Sequence, residues 1–453
     1  MSIAARRVPL IYAEMPTTSL GTRIGFLIAA AVYVGVLQVL YITVVSPIWA
    51  YAGYEFIPPS IESWVAFTIL SLVPSLWVPL ELNRPSQWLY FYLNVAVYIP
   101  TCFVPLFAGL SVPSSPDALL FFVSMLAGMA ILGVACVATR KRLQRPELPR
   151  LQFWLGIAAL LIFAYGVTLV TFGSSLSLEA LSLETEAVRD QRFQGSEKSS
   201  ALVGYCLNLP AWAINPLLMA YGLCRRKPLW FALGAGGQLY LFSVNAVRGV
   251  IATVPLMLAM YFFMRIRIKS PIGAIFMWSL AGAVVLATAI CFVAPRDVRI
   301  QISAAVMRPI LSPAATAGLY YNFFSHNPKT NFSHVKGIGS LVDPVYASES
   351  IGRVVGRGVG SPENCIVAGL WADGFASYGF PGMILVSVFA ACFFYCMDSA
   401  LGTINSRFAV LAIGPQALNI ADLPLQTTLL GGGLALVVLL IYLGPWQQEG
   451  LSN

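Results

Sequence analysis

Apolar residues in this chain come in blocks the length of a bilayer crossing. A helix needs roughly 20 consecutive apolar residues to span the hydrocarbon core. Blocks of that size stand at 24–47, 61–80, 87–110, 117–138, 151–173, 201–223, 272–294 and 381–401. Two longer blocks, 228–268 and 407–445, exceed one crossing, and each is expected to fold as a helical hairpin. Their polar breaks, at 245–249 and at 419–423 just before Pro424, mark the turns. The pattern predicts an all-α, polytopic transmembrane bundle of about twelve helices. The short alternating segments of a membrane barrel are missing from it. The segment 407–423 is the weakest of these spans, and whether it crosses or re-enters decides the side of the C-terminus.

Composition agrees with that reading. Of 453 residues, 58% are hydrophobic and 10% charged, against about a quarter charged in soluble domains. Mean hydropathy is +0.78. The net charge of +8 comes from Lys and Arg gathered between alternate spans: Arg6, Arg7, Arg23, Arg84, Arg140, Lys141, Arg142, Arg145, Arg225, Arg226 and Lys227 lead that set. Positive residues mark the cytoplasmic side, so the N-terminus is expected inside, with the first span an uncleaved anchor. The charge is explained without nucleic acid. The eight cysteines show no disulfide or zinc spacing and read as packing residues.

A single integral membrane domain, 1–453, therefore carries two longer external loops, 174–200 and 295–380. The first is polar and contains Arg192. The second is far longer than structureless connections usually are and holds both histidines, His326 and His334. Its start, 298–324, is apolar but interrupted by Pro309 and Pro313, which predicts short helices lying on the membrane surface. Ser361-Pro362-Glu363 has the form of a helix start, for a helix ending near Tyr378 before Gly379. The expected spans place no ionisable residue at mid-depth, unlike ion-coupled transporters.

Candidate chemistry gathers at the external face. Arg248 stands at a hairpin tip in Asn245-Ala-Val-Arg248-Gly249, where an anion would offset its desolvation; it also reads as a snorkelling residue. Arg353 and Arg357 alternate with glycines in Gly352-Arg-Val-Val-Gly356-Arg-Gly358, a weak phosphate cradle. His326, His334 or Glu363 could serve as a general base, with Asp373 as an alternative. Glu363 equally suits a helix dipole. No metal or cofactor is called for.

The layout, the Asn245-Ala-Val-Arg248-Gly249 hairpin and the segment Asp373-Gly-Phe-Ala-Ser-Tyr378-Gly379-Phe-Pro-Gly382 together resemble the Wzy-type O-antigen and oligosaccharide repeat-unit polymerases, which share architecture with O-antigen ligases. The resemblance implies a multi-pass protein of the bacterial inner membrane with its large loop in the periplasm. It implies glycosyl transfer between undecaprenyl-diphosphate-linked oligosaccharides, for surface polysaccharide. Diphosphates would lie on Arg248, Arg353, Arg357 and Arg192, and a loop base would take the hydroxyl proton. Its partners would be those lipid-linked glycans, membrane lipid and a chain-length regulator protein. A flippase or transporter of lipid-linked sugars, or a non-catalytic subunit of an envelope polysaccharide complex, are the competing expectations.

Overall fold

The computed structural model describes residues 19–110, 116–173, 200–265, 271–335, 337, 339, 341–346, 349–361, 365–447 and 450–451. Arg192, with nearly all of the 174–200 loop, and Glu363 lie outside the described residues.

In chain order the helices are α1 (Leu20–Ala52), α2 (Ile61–Leu76), α3 (Pro85–Phe107), α4 (Asp117–Val137), α5 (Arg150–Phe172), α6 (Ala201–Arg225), α7 (Pro228–Asn245), α8 (Arg248–Arg265) and α9 (Ile272–Val293). There follow α10 (296–326), α11 (Ile351–Gly358), α12 (Leu370–Leu401), α13 (Ser406–Ile413), α14 (Gln416–Asp422) and α15 (Leu425–Leu443). Among the described residues, nine of these helices are long and apolar enough to cross a membrane. The remaining three expected spans take other forms. They are the short α2, the 18-residue α7, and the pair α13–α14 broken at Gly414–Pro415. Ser19, Ser60, Ser200 and Asn405 accept backbone N–H groups at the starts of their helices.

Connections gather at two ends. At one, which carries Arg84, Arg140 and Arg145, Gly273 N donates to Leu80 O, Leu143 N to Ser399 O, Leu148 N to Leu443 O and Asn405 N to Leu451 O. The last bond joins residues before α13 and after α15, so the chain returns to the end it left. This basic end is pinned by Asp398, almost fully buried, which accepts from Arg140 (2.5 Å) and from Ser86 Oγ (2.6 Å). At the opposite end lie the α7–α8 turn and the long 327–369 connection, and Ile57 N bonds Phe107 O there.

The central pillar is α3, nearly all of it buried. Four helices widen locally into a π-turn, at Tyr41–Val45, Asn94–Tyr98, Pro210–Ile214 and Met307–Leu311. Such turns release backbone carbonyls that need new donors. Around Pro210–Ile214 the donors are side chains of neighbouring helices: Gln238 Nε2 reaches Ala211 O (2.8 Å) and Gln416 Nε2 reaches Trp212 O (2.7 Å).

Two expectations are corrected here. The 298–324 segment is not a set of surface helices. It forms the continuous α10, because the π-turn at Met307–Leu311 absorbs Pro309, and Pro313 falls in the first turn of the stretch that follows. Its middle packs on the Asn94–Tyr98 turn, with Leu311, Ala314 and Phe324 buried. The helix expected from Ser361 begins instead at Leu370, although its break at Gly379 is where the sequence sets it. Tyr378 and Gly379 (φ 66°) leave helical geometry, and the two limbs of α12 fold against each other. Trp371 Nε1 donates to Ser387 Oγ (3.0 Å). Gly374 and Gly382 meet backbone to backbone, so closely that a Cβ on Gly382 would lie 2.1 Å from Gly374 O. Residues 370–377 thus run back into the bundle, alongside the start of the 380–401 limb.

Candidate functional site

The doubled-back limb of α12 carries Asp373, 4% exposed, toward the interior. The connection after α10 folds over this limb and follows it. Thr330 N donates to Ala376 O and Asn331 N to Ser377 O, both 2.9 Å, satisfying carbonyls at the end of the limb. Asn331 and Phe332 both adopt left-handed backbone (φ 51° and 59°), so the chain turns sharply there. That turn brings His334 onto Asp373: Nε2 lies 2.9 Å from Oδ1. On the other side of the ring, Nδ1 lies 2.9 Å from Thr330 Oγ1. The second carboxylate oxygen, Oδ2, faces Gln426 Nε2 of α15 at 3.5 Å.

With both ring nitrogens engaged, His334 has no lone pair free for an incoming hydroxyl. Asp373 has: Oδ2 holds one long hydrogen bond, and a carboxylate oxygen has room for more. Asp373 Oδ2 is therefore the atom of this pair with room to accept a further hydrogen bond.

A second group stands apart from this pair. Arg248 is the first residue of α8, after a turn made by left-handed Ala246 and by Asn245 Oδ1, which accepts from Val247 N (3.0 Å). A cation is unfavourable at a helix N-terminus, where the dipole is already positive. An anion placed there would offset both positive charges. The π-turn of α10 presents Arg308, whose charge acts on Arg248, on Asp422 and on Tyr54. Neither Arg248 nor Arg308 forms an ion pair among the described residues. Two arginines against one carboxylate leave an excess of positive charge. Arg308 and Asp422 both stay exposed. Asp422 links the two groups, because Ala421 packs its carbonyl on Gly369, just before the limb that bears Asp373.

Arg308 belongs to a segment that looked like surface loop, and Asp422 to a span end. A lone arginine between apolar stretches, in Met307-Arg308-Pro309, was the available signal.

The other candidates lie elsewhere. His326 is exposed at the end of α10, its Nδ1 3.0 Å from Asn322 O of its own helix. Arg353 and Arg357 are exposed on α11, and Arg357 pairs with Glu349. Their glycines form no cradle. Gly352 and Gly358 are helical and let α11 close on Ile366 and Phe323. Among the described residues, no three His, Cys, Asp or Glu side chains converge as a metal site. No family model matches the chain, and neither does any curated protein or solved structure.

Proposed function

We propose that this protein polymerises lipid-linked oligosaccharide repeat units, by glycosyl transfer between undecaprenyl-diphosphate-linked glycans, as its resemblance to Wzy-type polymerases implies. One observation carries the reading. A hydrogen-bonded carboxylate, Asp373 on His334, and two arginines without an ion-pair partner among the described residues, Arg248 and Arg308, stand on elements that α14 adjoins, Ala421 packing on Gly369 and Asp422 feeling the charge of Arg308. In the reaction the acceptor hydroxyl oxygen attacks the anomeric carbon of the donor, and the bond from that carbon to the diphosphate breaks. Asp373 takes the hydroxyl proton. Arg248 and Arg308 hold the departing diphosphate, whose charge increases as the bond opens. The about twelve helices would cross a bacterial inner membrane, with the N-terminus cytoplasmic, the 295–380 region periplasmic and a chain-length regulator as partner.

One feature favours a second reading, a flippase for the same lipids: Arg308 and Asp422 are charged, interact with each other and stay exposed on elements of the bundle, as a transport path would require. A single experiment separates the two. In a strain lacking this gene, complemented with wild type, Asp373→Asn or Arg248→Ala, the length distribution of lipid-linked surface glycan is measured. The polymerase reading expects long chains from wild type only, with single repeat units accumulating on the outer leaflet for both variants. Accumulation on the inner leaflet supports the flippase. Full restoration by both variants refutes both readings and leaves a scaffold subunit.

A further inference from the structure

We propose that Thr330 is a positioning residue that holds His334 in the tautomer protonated on Nε2, and so fixes the carboxylate of Asp373. As a statement about catalysis this rests on the reading of Asp373 as the base, but the tautomer itself does not. The geometry leaves little choice. A carboxylate oxygen accepts, so Nε2, 2.9 Å from Asp373 Oδ1, carries the proton. In the neutral ring Nδ1 is then an acceptor, and among the described residues the group on it is the Thr330 hydroxyl, at 2.9 Å. Thr330 is fully buried, which removes water as a competing donor. Its hydroxyl is also the one donor type that serves both states of the ring. It donates to a neutral Nδ1 and, after rotation, accepts from Nδ1–H of an imidazolium.

The backbone sets this up. Thr330 and His334 are four residues apart in a tight turn, with Ser333 N on Thr330 O and Val335 N on Phe332 O. Left-handed Asn331 and Phe332 cost on the order of 1–3 kcal/mol each. The turn is anchored on Ala376 and Ser377, in the same limb that presents Asp373. Donor, ring and carboxylate are therefore tied to one element and move together.

The chain has two histidines, which makes a direct test simple. Full-length protein in lipid nanodiscs is labelled with nitrogen-15 histidine, and His326→Gln, a change at an exposed helix end, leaves only the His334 signals. At a pH where the ring is neutral, the expected spectrum shows a protonated Nε2 and an unprotonated Nδ1, well separated. Thr330→Ser keeps that pattern. Thr330→Val, equal in shape and fitting an enclosed apolar setting, draws the two signals together as the tautomers mix. Protonated Nδ1 in the unsubstituted protein, or a fixed Nε2–H tautomer in Thr330→Val, overturns the proposal. The unsubstituted spectrum decides even if a variant does not fold. In a polymerisation assay Thr330→Val should lower kcat roughly tenfold or more with little change in KM, and Thr330→Ser should restore it. A retained tautomer effect with no glycan phenotype would refute the polymerase reading alone.

Discussion

Replacing Gly382 by alanine tests the doubling back of α12 directly. A Cβ at Gly382 would lie 2.1 Å from Gly374 O and 3.1 Å from Gly374 C, whereas ordinary contacts begin near 3.4 Å. Both obstacles are backbone, so no side-chain rotation relieves them. The limbs must part by roughly 1 Å or more, in a packed interior that deforms at a cost of about 1–3 kcal/mol. Asp373 is one residue from Gly374, so it moves with the limb. His334 follows only in part, being tied also to its own turn. A displacement of about 1 Å at a reacting group costs on the order of 100-fold in rate. The expected outcome for Gly382→Ala is a folded protein, modestly less stable to thermal unfolding in detergent, with glycan polymerisation reduced about 100-fold. Gly379→Ala is the comparison. Its Cβ meets nothing nearer than the Lys329 side chain at 3.7 Å, but its φ of 66° is strained for alanine, so it should lose stability with less effect on rate. Wild-type stability and activity in Gly382→Ala would show that residues 370–377 do not fold back on 380–387, and the placement of Asp373 would fall with that.

Two other outcomes follow from buried charge. Asp398→Ala leaves Arg140 without its partner beside the Ser86 hydroxyl; it should cost about 3 kcal/mol in thermal unfolding, and an unchanged transition would refute the pinning of the basic end. Lys329 stands over the Phe375 ring (3.9 Å) and donates to Phe324 O, with no carboxylate on it among the described residues. Desolvation lowers its pKa from 10.5 to about 8. Between those values the unfolded chain binds more protons than the folded one, so stability should rise with pH from about 8 to 10.5. Lys329→Met should raise stability below pH 8 and flatten that rise, and a wild-type slope in the variant would refute the assignment.

What the sequence determined by itself was everything set by local pattern. Apolar blocks of bilayer length define most of the helices, because each must satisfy its own backbone in lipid. The polar break at 245–249 defines a hairpin with Arg248 at its tip, and Gly379 before Pro381 defines a break, since these residues act on the backbone where they stand. The 295–380 region stood out by holding both histidines. Tertiary structure decided the rest. Whether Pro309 ends a helix or sits in a π-turn depends on what packs around it. The Gly374–Gly382 contact, which turns a surface carboxylate into a buried one, depends on two limbs meeting. The pairing of His334 with Asp373 joins residues 39 apart in sequence, and a one-dimensional pattern carries no information about such a meeting. Side-chain chemistry is written locally, but its partners are chosen by packing, and at this site packing set the histidine against the aspartate.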